Sequence, residues 1–150
     1  MKTAIIYYSR HHGNTKKLLD AITKADQTVM LIDVTEVSDA DLSGYDCIGL
    51  ASGIYYNNFA RQILSFAEEH LPENKAVFFL YTHGAPAGKF LHGIRSVTEK
   101  KHCRELGEYG CLGFDTFGPF KLIGGIAKGH PDAEEINAAV DFYRMIQNSL

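Results

Sequence analysis

The stretch Ser9-Arg10-His11-His12-Gly13-Asn14-Thr15 holds the side chains best suited to chemistry in this chain. It lies between an apolar run, Ala4 to Tyr8, and a helical pattern in which Leu18, Ile22 and Ala25 recur at i, i+4, i+7. A loop feeding a helix N-terminus offers unbonded backbone N–H groups and the positive end of the helix dipole. Ser9 and Thr15 add hydroxyls, Asn14 adds an amide, and Gly13 allows a turn that a β-carbon would obstruct. The loop therefore suits a phosphate monoester. Read alone, it equally suits a plain helix cap, because Ser, Asn and Thr are common caps.

Other phosphate loops fit worse. A Walker A loop requires Gly-Lys-Ser/Thr, whereas Lys16 follows Thr15 here. A dinucleotide fingerprint requires GxGxxG, and Gly13 is the single glycine of this turn; Asp33 then reads as a capping or solvated carboxylate. A response-regulator domain wants acids where Ser9 and Ser52 stand. The sequence has no GxSxG elbow, and His70, His92, His102 and His130 lack metal-ligand spacing.

The elements that must position the loop follow from periodicity. Ala4 to Tyr8, Val29 to Val34, Cys47 to Ala51 and Ala76 to Tyr81 are nearly continuous apolar runs, as expected of strands buried on both faces. A shorter run, Cys111 to Phe114, predicts the fifth strand. Helical stripes lie between: Phe59, Ile63 and Phe66 with Ala67 and His70; Leu91, Ile94 and Thr98; and Ile136, Val140 and Tyr143. Asp132 and Glu135 predict a capping box behind Pro131. A short helix is expected near Ala40 to Leu42. Alternating strands and helices predict an α/β three-layer α/β/α sandwich with a five-stranded parallel sheet.

With 150 residues, 45% hydrophobic and 22% charged, the chain is read as one domain over residues 1–150 that buries roughly 70% of its unfolded surface without staples. A net charge of -3 gives no reason to expect nucleic-acid or membrane binding. The cysteines Cys47, Cys103 and Cys111 are scattered, and the apolar start is too short for a signal peptide or membrane span. A cytoplasmic protein is expected.

In such sheets ligands bind beyond the carboxyl ends of the strands. Ser52-Gly53-Ile54-Tyr55-Tyr56-Asn57-Asn58 follows the third strand, and Tyr81-Thr82-His83-Gly84-Ala85-Pro86 follows the fourth. With Ile5-Ile6-Tyr7-Tyr8-Ser9 and Gly13-Asn14-Thr15, the chain resembles the flavodoxins. The resemblance spans its whole length and is most specific in the first loop, which here has one extra residue and carries Arg10, His11 and His12.

The resemblance implies strand order 2-1-3-4-5, an order that comes with the flavodoxin family and not from the periodicity of the residues. It also implies flavin mononucleotide (FMN) as cofactor. It places Ser9, Arg10, His11, Gly13, Asn14 and Thr15 about the phosphate. Ser52, Gly53, Ile54, Tyr55 and Tyr56 would lie along one face of the flavin, and the Gly53 peptide would accept a hydrogen bond from N5 of the one-electron-reduced ring. Thr82, His83, Gly84 and Ala85 would meet the pyrimidine end. The function implied is electron transfer between partner proteins, a reductase and an acceptor. The alternative is an FMN-dependent oxidoreductase acting on a quinone, as in flavodoxin-like quinone reductases; a flavin-binding regulatory module is a third reading. The Gly/Phe-rich segment Asp115 to Gly129 reads as an irregular fifth strand and packed loop. Phe114, just before it, with Phe117 and Phe120 in it, would otherwise cover the sheet or the flavin, or form a dimer or partner surface.

Overall fold

The computed structural model describes residues 1–84, 88–116 and 118–150. The elements run β1 (Thr3–Tyr8), α1 (Asn14–Ala25), β2 (Met30–Asp33), β3 (Cys47–Tyr55), β4 (Asn58–Phe59), α2 (Arg61–His70), β5 (Ala76–His83), α3 (His92–Lys100), β6 (Arg104–Leu112) and α4 (Ala133–Asn148). A 3-10 turn, Gly118–Ile123, interrupts the segment between β6 and α4. The sheet order is β2-β1-β3-β5-β6, all parallel, with β4 antiparallel on the end of β3. Counting only parallel strands, this is the expected 2-1-3-4-5.

The continuous apolar runs are explained by burial on both faces. Ile5, Tyr7, Ala51, Phe78 and Leu80 pack with Leu19 and Ile22 of α1 and Tyr143 and Ile146 of α4. Their neighbours Ala4, Ile6, Ile48, Leu50 and Phe79 pack with Ile63 and Phe66 of α2 and Ile94 and Val97 of α3. Successive residues of a strand point to opposite faces, so two helical layers demand apolar side chains at every position. Each fully buried Leu, Ile or Phe contributes about 1.5–3 kcal/mol.

Four expectations need correction. The fifth strand is Arg104–Leu112, not Cys111 to Phe114. It is an edge strand carrying Arg104, Glu105 and Glu108, and a bulge at Val77/Phe78 breaks its register, so it lacks the apolar run of a central strand. No helix forms at Ala40 to Leu42; Leu42 is buried as an anchor and Asp41 Oδ1 accepts the Ser43 N–H at 2.9 Å, closing an Asx turn instead. Phe59 belongs to β4 rather than to α2. Finally, β3 runs on through Ser52–Tyr55, which sequence periodicity assigned to a loop. The capping box of α4 forms as expected: Asp132 Oδ1 accepts the Glu135 N–H and Glu135 accepts the Asp132 N–H, each at 2.9 Å.

Candidate functional site: a cleft at the carboxyl edge of the sheet

The chain leaves β1 and enters α1 through two successive left-handed residues, His12 (φ 58°) and Gly13 (φ 64°). Nothing lies within 4 Å of a β-carbon built on Gly13, so glycine serves the backbone angle there rather than a close approach. Gly13 is the N-cap of α1 and supplies no side chain. Ser9 Oγ reaches across instead and accepts the Lys16 N–H at 3.0 Å. No helix carbonyl can reach the N–H groups of Asn14 and Thr15, and the first turn carries no acidic residue. This is the positive end of a helix dipole facing a cleft.

Asn14 is buried. Its Nδ2 donates to the Phe114 carbonyl at 2.7 Å, while its Oδ1 has no partner among the described residues. A buried acceptor without a donor costs about 1–3 kcal/mol, so the site is built for a hydrogen-bond donor at this point. Thr15 Oγ1 and Thr82 Oγ1 meet at 2.8 Å, both buried, and tie the first loop to the end of β5.

Arg10 turns away from the cleft. Its guanidinium donates to Thr35 Oγ1, whose hydroxyl donates to Asp33 at 2.7 Å. Ser52 also stands behind the cleft. It is wholly buried, donates to the Gly53 carbonyl at 2.6 Å and accepts the Ala60 N–H at 2.9 Å. It therefore fixes the orientation of the Gly53 peptide.

Beyond Gly53 the chain makes a hairpin. Tyr55 pairs with Asn58, and the two residues between, Tyr56 (φ 50°) and Asn57 (φ 61°), both have positive φ, as a two-residue type I′ turn demands. A left-handed tyrosine is unusual; this one stands 87% exposed at the hairpin tip. Tyr55 points inward, edge-on to Tyr8 with ring centroids 5.9 Å apart. Burial pushes its hydroxyl up to about 12, reinforced by Tyr8 and Asp115, while a hydrogen bond with the His11 backbone pulls the other way. It stays neutral in ordinary buffers.

The third side comes from β5 and, unexpectedly, from the segment after β6. His83 packs on Phe90 at 5.1 Å between ring centroids. A β-carbon on Gly84 would collide with the Asp115 side chain, so only glycine lets Asp115 sit there. Residues 113–116 and 118–130 double back as a strap: Asp115 and Ile126 exchange backbone hydrogen bonds at 2.9 and 2.7 Å, and Phe114 N–H donates to the His130 carbonyl at 2.9 Å. The strap is latched to the first loop by Asn14, by His12 Nε2 with Thr116 Oγ1 at 2.8 Å, and by the Phe114 ring against His12 at 4.4 Å. His11 Nε2 adds two alternative bonds. Unprotonated, it accepts the Thr116 N–H at 3.0 Å; protonated, it pairs with Asp115 Oδ1 at 3.1 Å.

Two depressions result. One, narrow, lies between the first loop and the strand ends and is lined by Ser9, His11, Asn14, Thr15, Gly53 and Tyr55 among others. The second, of about 250 Å³, adjoins it across Ile54, His83, Gly84 and Asp115 and is rimmed by Tyr56, Phe90 and Phe120. Thr82 lines the first. Thus Ser9, His11, Asn14, Thr15, Gly53, Ile54, Tyr55, Tyr56, Thr82, His83 and Gly84 converge on the cleft, whereas Arg10 and Ser52 do not line it and Gly13 shapes the backbone. Ala85, like Phe117, lies outside the described residues. Sequence reasoning missed Gly113, Asp115 and Phe90 as lining residues and gave Phe114 only as one of three phenylalanines that could cover the sheet, the flavin or a partner. The signal available for Gly113 and Asp115 was their place just past the last strand, which a misplaced β6 hid.

A flavodoxin domain model matches residues 5–100. An uncharacterized protein of Methanocaldococcus jannaschii is 37% identical over 149 residues, 97% of this chain and 98% of its own. Among solved structures, a Fusobacterium nucleatum flavodoxin bound to flavin mononucleotide superposes with TM-score 0.68 at 14% identity, covering 100% of this chain and 99% of that one. A flavodoxin from the domain Archaea gives 0.64 at 15% identity, over 98% and 99%. At such identities the structural likeness speaks for the fold.

Proposed function

The chain belongs to the flavodoxin domain family, and from that premise we propose that it binds FMN and carries electrons between redox proteins. The observation that carries the reading is the first loop: two left-handed residues, a helix N-terminus without an acid, and the buried, unpartnered Oδ1 of Asn14. The N–H groups of Asn14 and Thr15 and the Ser9 hydroxyl would hold a phosphate, and Asn14 Oδ1 would accept from a sugar-alcohol hydroxyl. This donor set fits the group. Bound FMN supplies one- and two-electron chemistry that no side chain of this protein offers.

The chain's own residues would do the rest. Tyr56, Phe90 and Phe120 would offer aromatic surface to the flavin along the second depression. The Gly53 carbonyl would accept a hydrogen bond from the flavin, and Ser52, which donates to that carbonyl here, would set how readily the peptide turns. The Asp115 carboxylate opposes build-up of negative charge beside it. The three free cysteines suit a reducing, cytoplasmic setting; among the described residues no helix is long and apolar enough to cross a membrane.

The second reading, an FMN-dependent oxidoreductase acting on a quinone, draws on the width of the second depression and its aromatic rim. A titration separates the possibilities. FMN is expected to bind roughly a hundredfold more tightly than riboflavin, since two or more charge-assisted hydrogen bonds are at stake. Equal affinity for riboflavin, or much tighter binding of FAD, overturns the phosphate assignment. The loaded protein should then show a long-wavelength absorbance that rises and falls during stepwise anaerobic reduction. Saturable turnover of NAD(P)H with a quinone alone would favour the enzyme.

A further inference from the structure

Resting on the carrier reading, we propose that the edge around the cleft docks the acidic face of a protein redox partner, although the chain as a whole is acidic. The described segments that form this edge are residues 9–13, 56–61, 84, 88–91, 113–116 and 118–129. They carry Arg10, Arg61, Lys89, Lys121 and Lys128 against a single carboxylate, Asp115. Five cations and one acid leave +4 there. The remaining ten cations and seventeen acids leave -7 over the rest of the molecule.

The cations are presented and the acid is not. Arg61, Lys89, Lys121 and Lys128 are exposed. Among the described residues none of these four has a carboxylate in ion-pair reach, in contrast to Lys16 with Asp20 or Arg95 with Glu105. Asp115 is recessed, its side chain 16% exposed beside His11. Arg10 is partly spent on Thr35, next to Asp33. Exposed acids border the edge on one side, where Glu99 and Glu108 line the same depression as Lys89, but Glu108 is paired with Arg95.

The same edge holds a small apolar centre. Tyr56, Leu122 and Ile123 are 87%, 89% and 72% exposed, the highest values among the large hydrophobic side chains. Leu122 and Ile123 lie just past Phe120, which lines the second depression, with Lys121 between it and them. An apolar patch ringed by one sign of charge is the composition of a transient docking surface. Salt screens charges beyond about 10 Å, so the local +4 rather than the distant -7 meets the partner at contact.

The probe is an acidic polypeptide, poly-L-glutamate, with poly-L-lysine as its opposite, added to the isotope-labelled full chain at low salt. Polyglutamate should shift backbone resonances at 56–61, 89–91 and 119–128, and the double variant Lys121→Glu/Lys128→Glu should weaken this roughly tenfold. In the FMN-loaded protein, reoxidation by ferricyanide, an anion, should slow as salt is added. Shifts at these loops with polylysine instead, or polyglutamate binding elsewhere, overturn the inference. So does capture by phosphatidylglycerol vesicles without a polyglutamate response, which would make the edge a lipid-facing one. Failure to take up FMN sinks the carrier reading alone, because the polyglutamate response does not need the flavin.

Discussion

Ser52 illustrates how one hydroxyl connects fold and chemistry. Its proton goes to the Gly53 carbonyl and its lone pair takes the Ala60 N–H, so the same atom anchors the β3–β4 hairpin and restrains the peptide expected to face flavin N5. Turning that peptide means giving up a hydrogen bond worth about 1 kcal/mol net. Ser52→Ala should therefore ease the turn. The first one-electron potential of bound FMN should rise relative to the second by on the order of 40 mV, the one-electron equivalent of that bond. Spectroelectrochemistry reads this directly, and an unchanged gap between the two potentials would show that Ser52 holds the hairpin only. Asp115 works at the same scale by charge: held against Gly84 and beside His11, it places a carboxylate where the two depressions meet.

At the scale of elements, the strap after β6 is the feature that completes the cleft. It is bound to itself through Asp115 and Ile126 and to the first loop through Asn14, His12 and His11. The closest approach is at Gly113, where a β-carbon would lie 2.7 Å from Asn14 Nδ2 and 2.8 Å from its Cγ. Gly113 has no positive φ, so Gly113→Ala tests contact and not backbone strain. It should displace Asn14, break the 2.7 Å bond to Phe114 and cost about 1–3 kcal/mol of overpacking. FMN affinity should fall roughly tenfold or more on the same energy scale. Amides of the strap should exchange faster while those of β1 and β3 stay protected. Unchanged affinity would mean that the strap and the phosphate loop act independently.

For the molecule as a whole, one carboxylate closes the helical layer formed by α1 and α4. Asp26, at the C-cap of α1, accepts from Tyr143 Oη at 3.1 Å and Gln147 Nε2 at 2.8 Å, and from Thr28 at 2.6 Å. An acid at a helix C-terminus opposes the dipole, yet the Thr28 bond first, aided by Tyr143, holds it below the usual aspartate range against a smaller upward push from burial. A folded-state pKa below the unfolded one gives stability that is present above the unfolded value and lost as pH falls through the folded one. Asp26→Asn should cost about 1 kcal/mol at neutral pH, given its partial exposure. The difference from the parent should shrink in acid, below the ordinary aspartate pKa. Denaturant melts at neutral and acid pH measure it, and a pH-independent difference would remove the carboxylate from the account.

The sequence by itself determined the central sheet, its two helical layers and the loop at the α1 N-terminus. Each is a local signal: apolar runs at every position for strands buried on both sides, 3.6-residue stripes for helices, and Ser9, Gly13, Asn14 and Thr15 before a helix. Tertiary structure decided what local patterns do not encode. Arg10 departs from the phosphate loop because Thr35, 25 residues on, offers it an acceptor. Ser52 withdraws behind the cleft because β3 continues into a hairpin that needs its hydroxyl. The β6 strand escaped the apolar criterion because an edge strand keeps one side in water, and with it went unread the place of Gly113, Phe114 and Asp115 beside the first loop. Those three reach the site only when residues about 100 positions apart are brought together, as in the bond from Asn14 to Phe114. Periodicity reports which face of an element is buried; which side chains meet across a cleft depends on packing between elements distant in the chain.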